Sequence, residues 1–154
     1  MAAAIAATAG VPAFAAPPAL NSLAPDFALK GIDGRNVRLS EFRGEPVVLH
    51  FWAGWCGPCR ESVAALDALG QSSGASVLGV NLDGADRAAA VAASLRLKAP
   101  TLVDAQQSVA RTYDVEKLPL TLLLDAEGHV RASWSGVAAD LSELTPQLDR
   151  LRQD

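Results

Sequence analysis

Residues 46–52, Pro-Val-Val-Leu-His-Phe-Trp, run apolar almost without a break, and Cys56-Gly57-Pro58-Cys59 follows close behind at the head of a helical pattern. A strand that is apolar on both faces has to be covered on both faces, which calls for a sheet held between two layers of helix. Beyond the cysteines, Cys59, Ser62, Val63, Leu66 and Leu69 or Gly70 share one helical stripe that can pack back on that sheet. The result is a strand–turn–helix unit with both cysteines of the chain at its turn.

Two cysteines spaced in this way at the first turn of a helix hold their sulfurs on one side, close enough for a disulfide to open and close locally. Pro58 suits a helix start, because a proline there gives up a backbone donor that would be unpaired anyway. Cys56 then stands at or just before the helix N-terminus, where free N–H groups and the helix dipole favour its thiolate. Cys56 is therefore the candidate nucleophile and Cys59 the resolving thiol. The competing reading is zinc, since two Cys and two His match a Cys₂His₂ set in number. It is disfavoured because His50 lies inside the apolar run and His129 far along the chain, without the short His-His spacing of a structural site. No metal site is expected.

The remainder alternates strand and helix. Strands are expected over residues 76–82, 101–103 and 120–124, helices over 85–95 and 108–113, and a hairpin joins 120–124 to 129–134 through Asp125-Ala126-Glu127-Gly128. Leu141, Leu144, Leu148 and Leu151 give a last helix an apolar stripe that Pro146 kinks or restarts. The expected fold class is α/β, a three-layer arrangement with a central mixed sheet and helices on both faces, antiparallel where this hairpin joins it.

With 154 residues, half of them hydrophobic, the chain suffices for one sizeable core and no second catalytic domain, so electrons must come from a partner. A net charge of −4 without a long run of Lys or Arg argues against a nucleic-acid surface. No apolar run reaches the ~18–20 residues of a membrane-spanning helix. Residues 1–16 are mostly small and apolar and end on Ala13-Phe14-Ala15-Ala16, which fits the small-x-small site of a cleaved export signal. Lys30 is the first basic residue, so the positive n-region is missing. Either the true start lies upstream, with a membrane tether among the options, or the segment is an Ala/Pro-rich tail. The division expected is a signal over 1–16, a linker over 17–22 and a single domain over 23–154.

Val47 to Arg60, VVLHFWAGWCGPCR, resembles the active-site segment of thioredoxins. Three further stretches narrow the resemblance to the TlpA-like (ResA-like) periplasmic branch. Residues 24–29 through Gly31-Ile32-Asp33-Gly34 to residues 37–44 resemble its N-terminal hairpin and short helix, which implies a second hairpin supplying antiparallel strands to the central sheet, and residues 76–104 resemble its central strand–helix–strand insertion. Residues 115–125, Val-Glu-Lys-Leu-Pro-Leu-Thr-Leu-Leu-Leu-Asp, are similar to the proline-led strand that faces the cysteines. The resemblance covers about residues 23–154 and is most specific at the cysteine motif.

The resemblance implies that Pro119 is cis and lies against the cysteine pair, with Leu118 offering backbone hydrogen bonds to an extended substrate segment. His50 matches a buried acid of thioredoxins, which makes it a candidate proton shuttle for Cys59; the other reading is a hydrogen-bonded core histidine. Trp55, Gly57 and Pro58 complete the active-site loop, Trp55 as an apolar docking surface, while Trp52 is expected in the core. The chain departs from the branch where Ser62 replaces a common glutamate, leaving Glu61 turned to solvent, where Ala64 replaces a proline, and where Leu120 replaces a threonine.

The implied activity is thiol–disulfide oxidoreduction on protein substrates, with the Cys56–Cys59 pair as its own redox group and no cofactor. The Gly-Pro dipeptide between the cysteines resembles that of reducing thioredoxins, which favours a periplasmic, monomeric reductase recharged by a membrane electron donor. Apocytochrome c and copper-site cysteines are targets implied by the family. A glutamate often follows the cis-proline in the cytochrome c biogenesis branch, and Leu120 at that position leaves the pathway open. A copper-binding metallochaperone and a thiol peroxidase stand as alternatives. The first is weakened by the cysteine spacing and by Met1 being the sole methionine, the second by Ala53 and Leu49 where a peroxidase needs threonine and proline.

Overall fold

The computed structural model describes residues 17–154, so the export-signal expectation over 1–16 lies outside the described residues. The order is β1 (Ala28–Lys30), β2 (Asn36–Arg38), a 3₁₀ turn (Leu39–Phe42), β3 (Val47–Trp52), α1 (Gly57–Ser73), β4 (Ser76–Asn81), α2 (Ala85–Ser94), β5 (Thr101–Val103), α3 (Ser108–Thr112), β6 (Leu120–Leu124), β7 (Val130–Ser135) and α4 (Leu141–Gln153). Five strands form a mixed sheet in the order β5-β4-β3-β6-β7. β3, β4 and β5 run parallel, and β6 lies antiparallel to both β3 and β7.

β3 sits at the centre of this sheet and every one of its residues is buried, the physical counterpart of its unbroken apolar run. The two faces of the strand serve different layers. Val47, Leu49 and Phe51 join a cluster with Phe27, Leu39, Val109 and Tyr113, contributed by the N-terminal segment and α3. On the opposite face Val48 meets Leu66 of α1 and Leu144 and Leu148 of α4, while Trp52 meets Val63 of α1 and Val91 of α2. This is the expected three-layer α/β arrangement.

The antiparallel strands of the sheet do not come from two hairpins, however. β1 and β2 pair only with each other, and a single bridge between Gly31 and Leu102 ties the hairpin to β5. The ladder of the hairpin is confined to its own two strands, Ala28 with Arg38, Leu29 with Val37 and Lys30 with Asn36. The N-terminal hairpin therefore acts as a cover. Residues expected in the linker are tied to β7: Asn21 N–H donates to Val130 O at 2.7 Å, and Val130 N–H to Ser22 O at 2.9 Å.

α4 runs through Pro146 as one helix. The proline withholds one hydrogen bond from the Ser142 carbonyl, on an exposed stretch where water can replace it. Asp140 caps the start, its carboxylate accepting from Ser142 N–H at 2.8 Å. α1 stops at Gly74, whose φ of 71° is the left-handed conformation that ends helices.

Candidate active site

β3 ends at Trp52 at the C-terminal end of the central strand, and the next turn closes when Cys56 N–H donates to Ala53 O at 3.2 Å. Cys56 is the N-cap of α1, Gly57 and Pro58 its first two residues. A proline at this position loses no intrahelical bond, which is why the helix can begin directly beside the cysteine. Cys56 and Cys59 are joined in a disulfide with Cα atoms 5.2 Å apart, so the described conformation is the oxidised one. Their surroundings differ in the sense that the chemistry requires. Cys56 keeps 7% of its surface in contact with solvent and Cys59 none.

The unsatisfied N–H groups at the start of α1 point toward Cys56, and no acidic side chain lies in the first turn to oppose a thiolate there. Trp55 is 67% exposed beside it. Such a side chain offers a flat apolar contact to an incoming surface and contributes little to the core. Trp52 is fully buried and packs with both cysteines, Val63 and Val91. Arg60 and Glu61 both face solvent.

Leu118–Pro119 is cis. Leu118 is half-buried and packs against the cluster that holds the two cysteines, so the proline-led strand does reach the redox turn. Pro119 is buried, and its carbonyl accepts from Gly136 N–H at 2.9 Å, which ties the entry of β6 to the exit of β7.

His50 lies on the α1 side of β3 and is fully buried. Its Nδ1 stands 2.8 Å from Thr121 Oγ1 on the adjacent β6, while Nε2 has no partner among the described residues. Burial pushes its pKa down to about 3, so the imidazole is neutral at physiological pH. Its hydrogen bond goes to Thr121 and not to a cysteine.

Two buried carboxylates that the sequence did not single out hold the elements around the site. Asp83, in the loop after β4, accepts from Gly54 N–H inside the turn that precedes Cys56. Asp67 of α1 is buried, and its Oδ1 accepts from Lys98 N–H at 2.9 Å and Ala99 N–H at 2.7 Å. It fastens the helix that carries the cysteines to the segment leading into β5. Neither carboxylate had a signal in the sequence, where an aspartate in a loop or beside a helical stripe reads as a solvated surface charge.

A model of the AhpC/TSA family matches residues 20–133, which include the cysteine motif and the cis-proline. The chain belongs to the AhpC/TSA family. Within it, the relatives place the chain in the TlpA/ResA-like branch of the thioredoxin superfamily. The thiol-disulfide oxidoreductase ResA of Geobacillus thermodenitrificans is 35% identical over 122 residues, 77% of this chain and 70% of that protein. A putative thiol:disulfide interchange protein DsbE from Chlorobium tepidum has a similar structure, with a TM-score of 0.76 at 32% identity over 89% of this chain and 99% of that one. The exposed lipoprotein thioredoxin Etrx1 of Streptococcus pneumoniae aligns with a TM-score of 0.70 at 30% identity, over 82% of this chain and 99% of that one. With its paired cysteines at the helix start, this AhpC/TSA-family chain is an enzyme of the thiol–disulfide oxidoreductase class.

Proposed function

We propose that the protein reduces disulfides of other proteins outside the cytoplasm, using Cys56 as nucleophile and Cys59 as resolving thiol. The observation that carries this reading is the asymmetry of the pair: one sulfur at a helix N-cap beside an exposed tryptophan, the other sealed beneath it. A cleft of about 510 Å³ lies between the N-terminal hairpin and residues 97–102, and neither cysteine lines it. The redox pair instead sits beside exposed Trp55 and half-buried Leu118, a setting suited to a polypeptide surface.

In the reducing direction, the Cys56 thiolate attacks one sulfur of a substrate disulfide. A mixed disulfide forms, and one substrate thiolate leaves and takes a proton. Leu118 and Pro119 orient the extended substrate beside the sulfur. Cys59 then gives up its proton and attacks Cys56 Sγ, which releases the second substrate thiol and leaves the Cys56–Cys59 disulfide. The substrate has gained two electrons and the enzyme has lost them, so a dithiol donor in the membrane must restore the pair. The pneumococcal protein of similar structure is named as an exposed lipoprotein, which supports placing this chemistry on the outer side of a membrane. No helix among the described residues is long and apolar enough to cross one.

The direction is tested by equilibrating the protein with glutathione buffers. A potential near that of thioredoxin, about −270 mV, fits a reductase. A value near −120 mV would mark an oxidant and reverse the assignment.

A further inference from the structure

The turn between Trp52 and Cys56 is braced from outside. Gly54 N–H donates to Asp83 Oδ2 at 2.7 Å, and Asp83 comes from the loop that joins β4 to α2. Its side chain is 6% exposed, and Oδ1 of the same carboxylate lies 3.8 Å from Arg87 Nε. Asn81 fixes the aspartate in turn, with Oδ1 accepting from Asp83 N–H at 2.7 Å. Asn81 is itself in register with Trp52 across the β3–β4 pairing, and Leu82 N–H donates to Trp52 O at 3.0 Å. The brace is thus anchored to the strand that leads into the site. Gly54 is enclosed as well: a Cβ there would stand 2.9 Å from Val91 Cγ2 and 3.1 Å from Asp83 Oδ2. Only glycine permits so close an approach.

We propose that Asp83 is a positioning residue for Cys56, holding the turn so that the nucleophilic sulfur stays at the N-cap of α1. The proposal rests on the oxidoreductase reading above and adds to it a residue that contacts neither sulfur nor substrate. A thiolate gains from the helix start only within the first turn. The hydrogen bond between Cys56 N–H and Ala53 O closes directly across Gly54, so a fixed Gly54 amide fixes where Cys56 meets the helix. Asp83 reaches the turn through the Gly54 amide, and the action assigned to it is geometric.

Three variants of the full-length protein test this, with insulin disulfide reduction as the activity and hydrogen exchange of the Gly54 amide as the structural readout. Asp83→Ala should lose about tenfold or more in the rate of disulfide reduction and release the Gly54 amide to fast exchange, as expected for a deleted charge-assisted hydrogen bond. Asp83→Asn keeps an acceptor oxygen and should restore both to within about threefold of wild type. Gly54→Ala presses on the same contact from the turn and should reproduce the loss, which keeps the proposal testable should Asp83→Ala fail to fold. An Asp83→Ala protein as fast as wild type would overturn the brace, as would Asp83→Asn as damaged as Asp83→Ala, or a fully active Gly54→Ala. A wild-type protein inert toward disulfides would instead overturn the reductase reading on which it rests.

Discussion

His50 and Thr121 face each other across the β3–β6 pairing, with the imidazole Nδ1 2.8 Å from the threonine hydroxyl. Both side chains are fully buried, on the face of the sheet that α1 covers. An imidazole held there without a counter-charge cannot accept a proton cheaply. His50→Ala should leave the rate of resolving a mixed disulfide unchanged between pH 6 and 9. It should also cost about 2–4 kcal/mol of stability through the cavity and the stranded hydroxyl. A pH-dependent fall in the resolving rate would restore His50 to the role of proton shuttle.

The same burial makes stability depend on pH in a calculable direction. In the folded chain His50 has its pKa lowered from 6.5 to about 3, so between these values the unfolded chain binds a proton that the folded chain does not. Stability therefore falls as pH drops below about 6.5, at up to about 1.4 kcal/mol per pH unit. Urea titrations at pH 7 and pH 5 should show that slope, and His50→Gln should remove it. A slope that survives the substitution would assign it to another group.

Below pH 4 the aspartates add to this. Burial of Asp125 opposes its ionisation, but hydrogen bonds from His129 N–H and the Arg131 side chain outweigh that cost and hold its pKa below the usual 3.8. A depressed carboxylate contributes stability that is present above its unfolded pKa and lost as pH falls through the folded one. Asp125→Asn should therefore narrow the gap in stability between pH 5 and pH 2.5. An unchanged gap would mean that the β6–β7 turn does not rely on the charge.

Asp67→Ala should separate stability from chemistry. It strands the Lys98 and Ala99 amides and removes the acceptor for Gln71 Nε2, a loss of about 2–4 kcal/mol. The glutathione potential of the cysteine pair should move little, because the carboxylate binds the far segment and not the redox turn. A potential displaced as far as the stability would make Asp67 part of the site.

What the chain revealed before its structure follows a physical line. β5 and β6 match their expected limits because each is a short apolar run bounded by proline or by a turn. Cys56 and Cys59 are legible as a pair because their spacing at a helix start is local, while Pro119 is picked out only by the family resemblance, since the cysteine cluster that Leu118 packs against lies far from it in the chain. Asp83 and Gly54 are not legible, since the hydrogen bond between them closes a separation of 29 residues that no local pattern records. The hairpin of β1 and β2 is legible only through the family resemblance, and its place outside the central sheet is a matter of pairing between distant segments.

The unequal roles of the two sulfurs meet their most direct test in trapping. Cys59→Ser and Cys56→Ser are each reduced, mixed with a protein disulfide and separated on a non-reducing gel. Cys59→Ser should accumulate a mixed disulfide through Cys56, and Cys56→Ser should accumulate none. Equal trapping by both variants, or by neither, would contradict that division of roles.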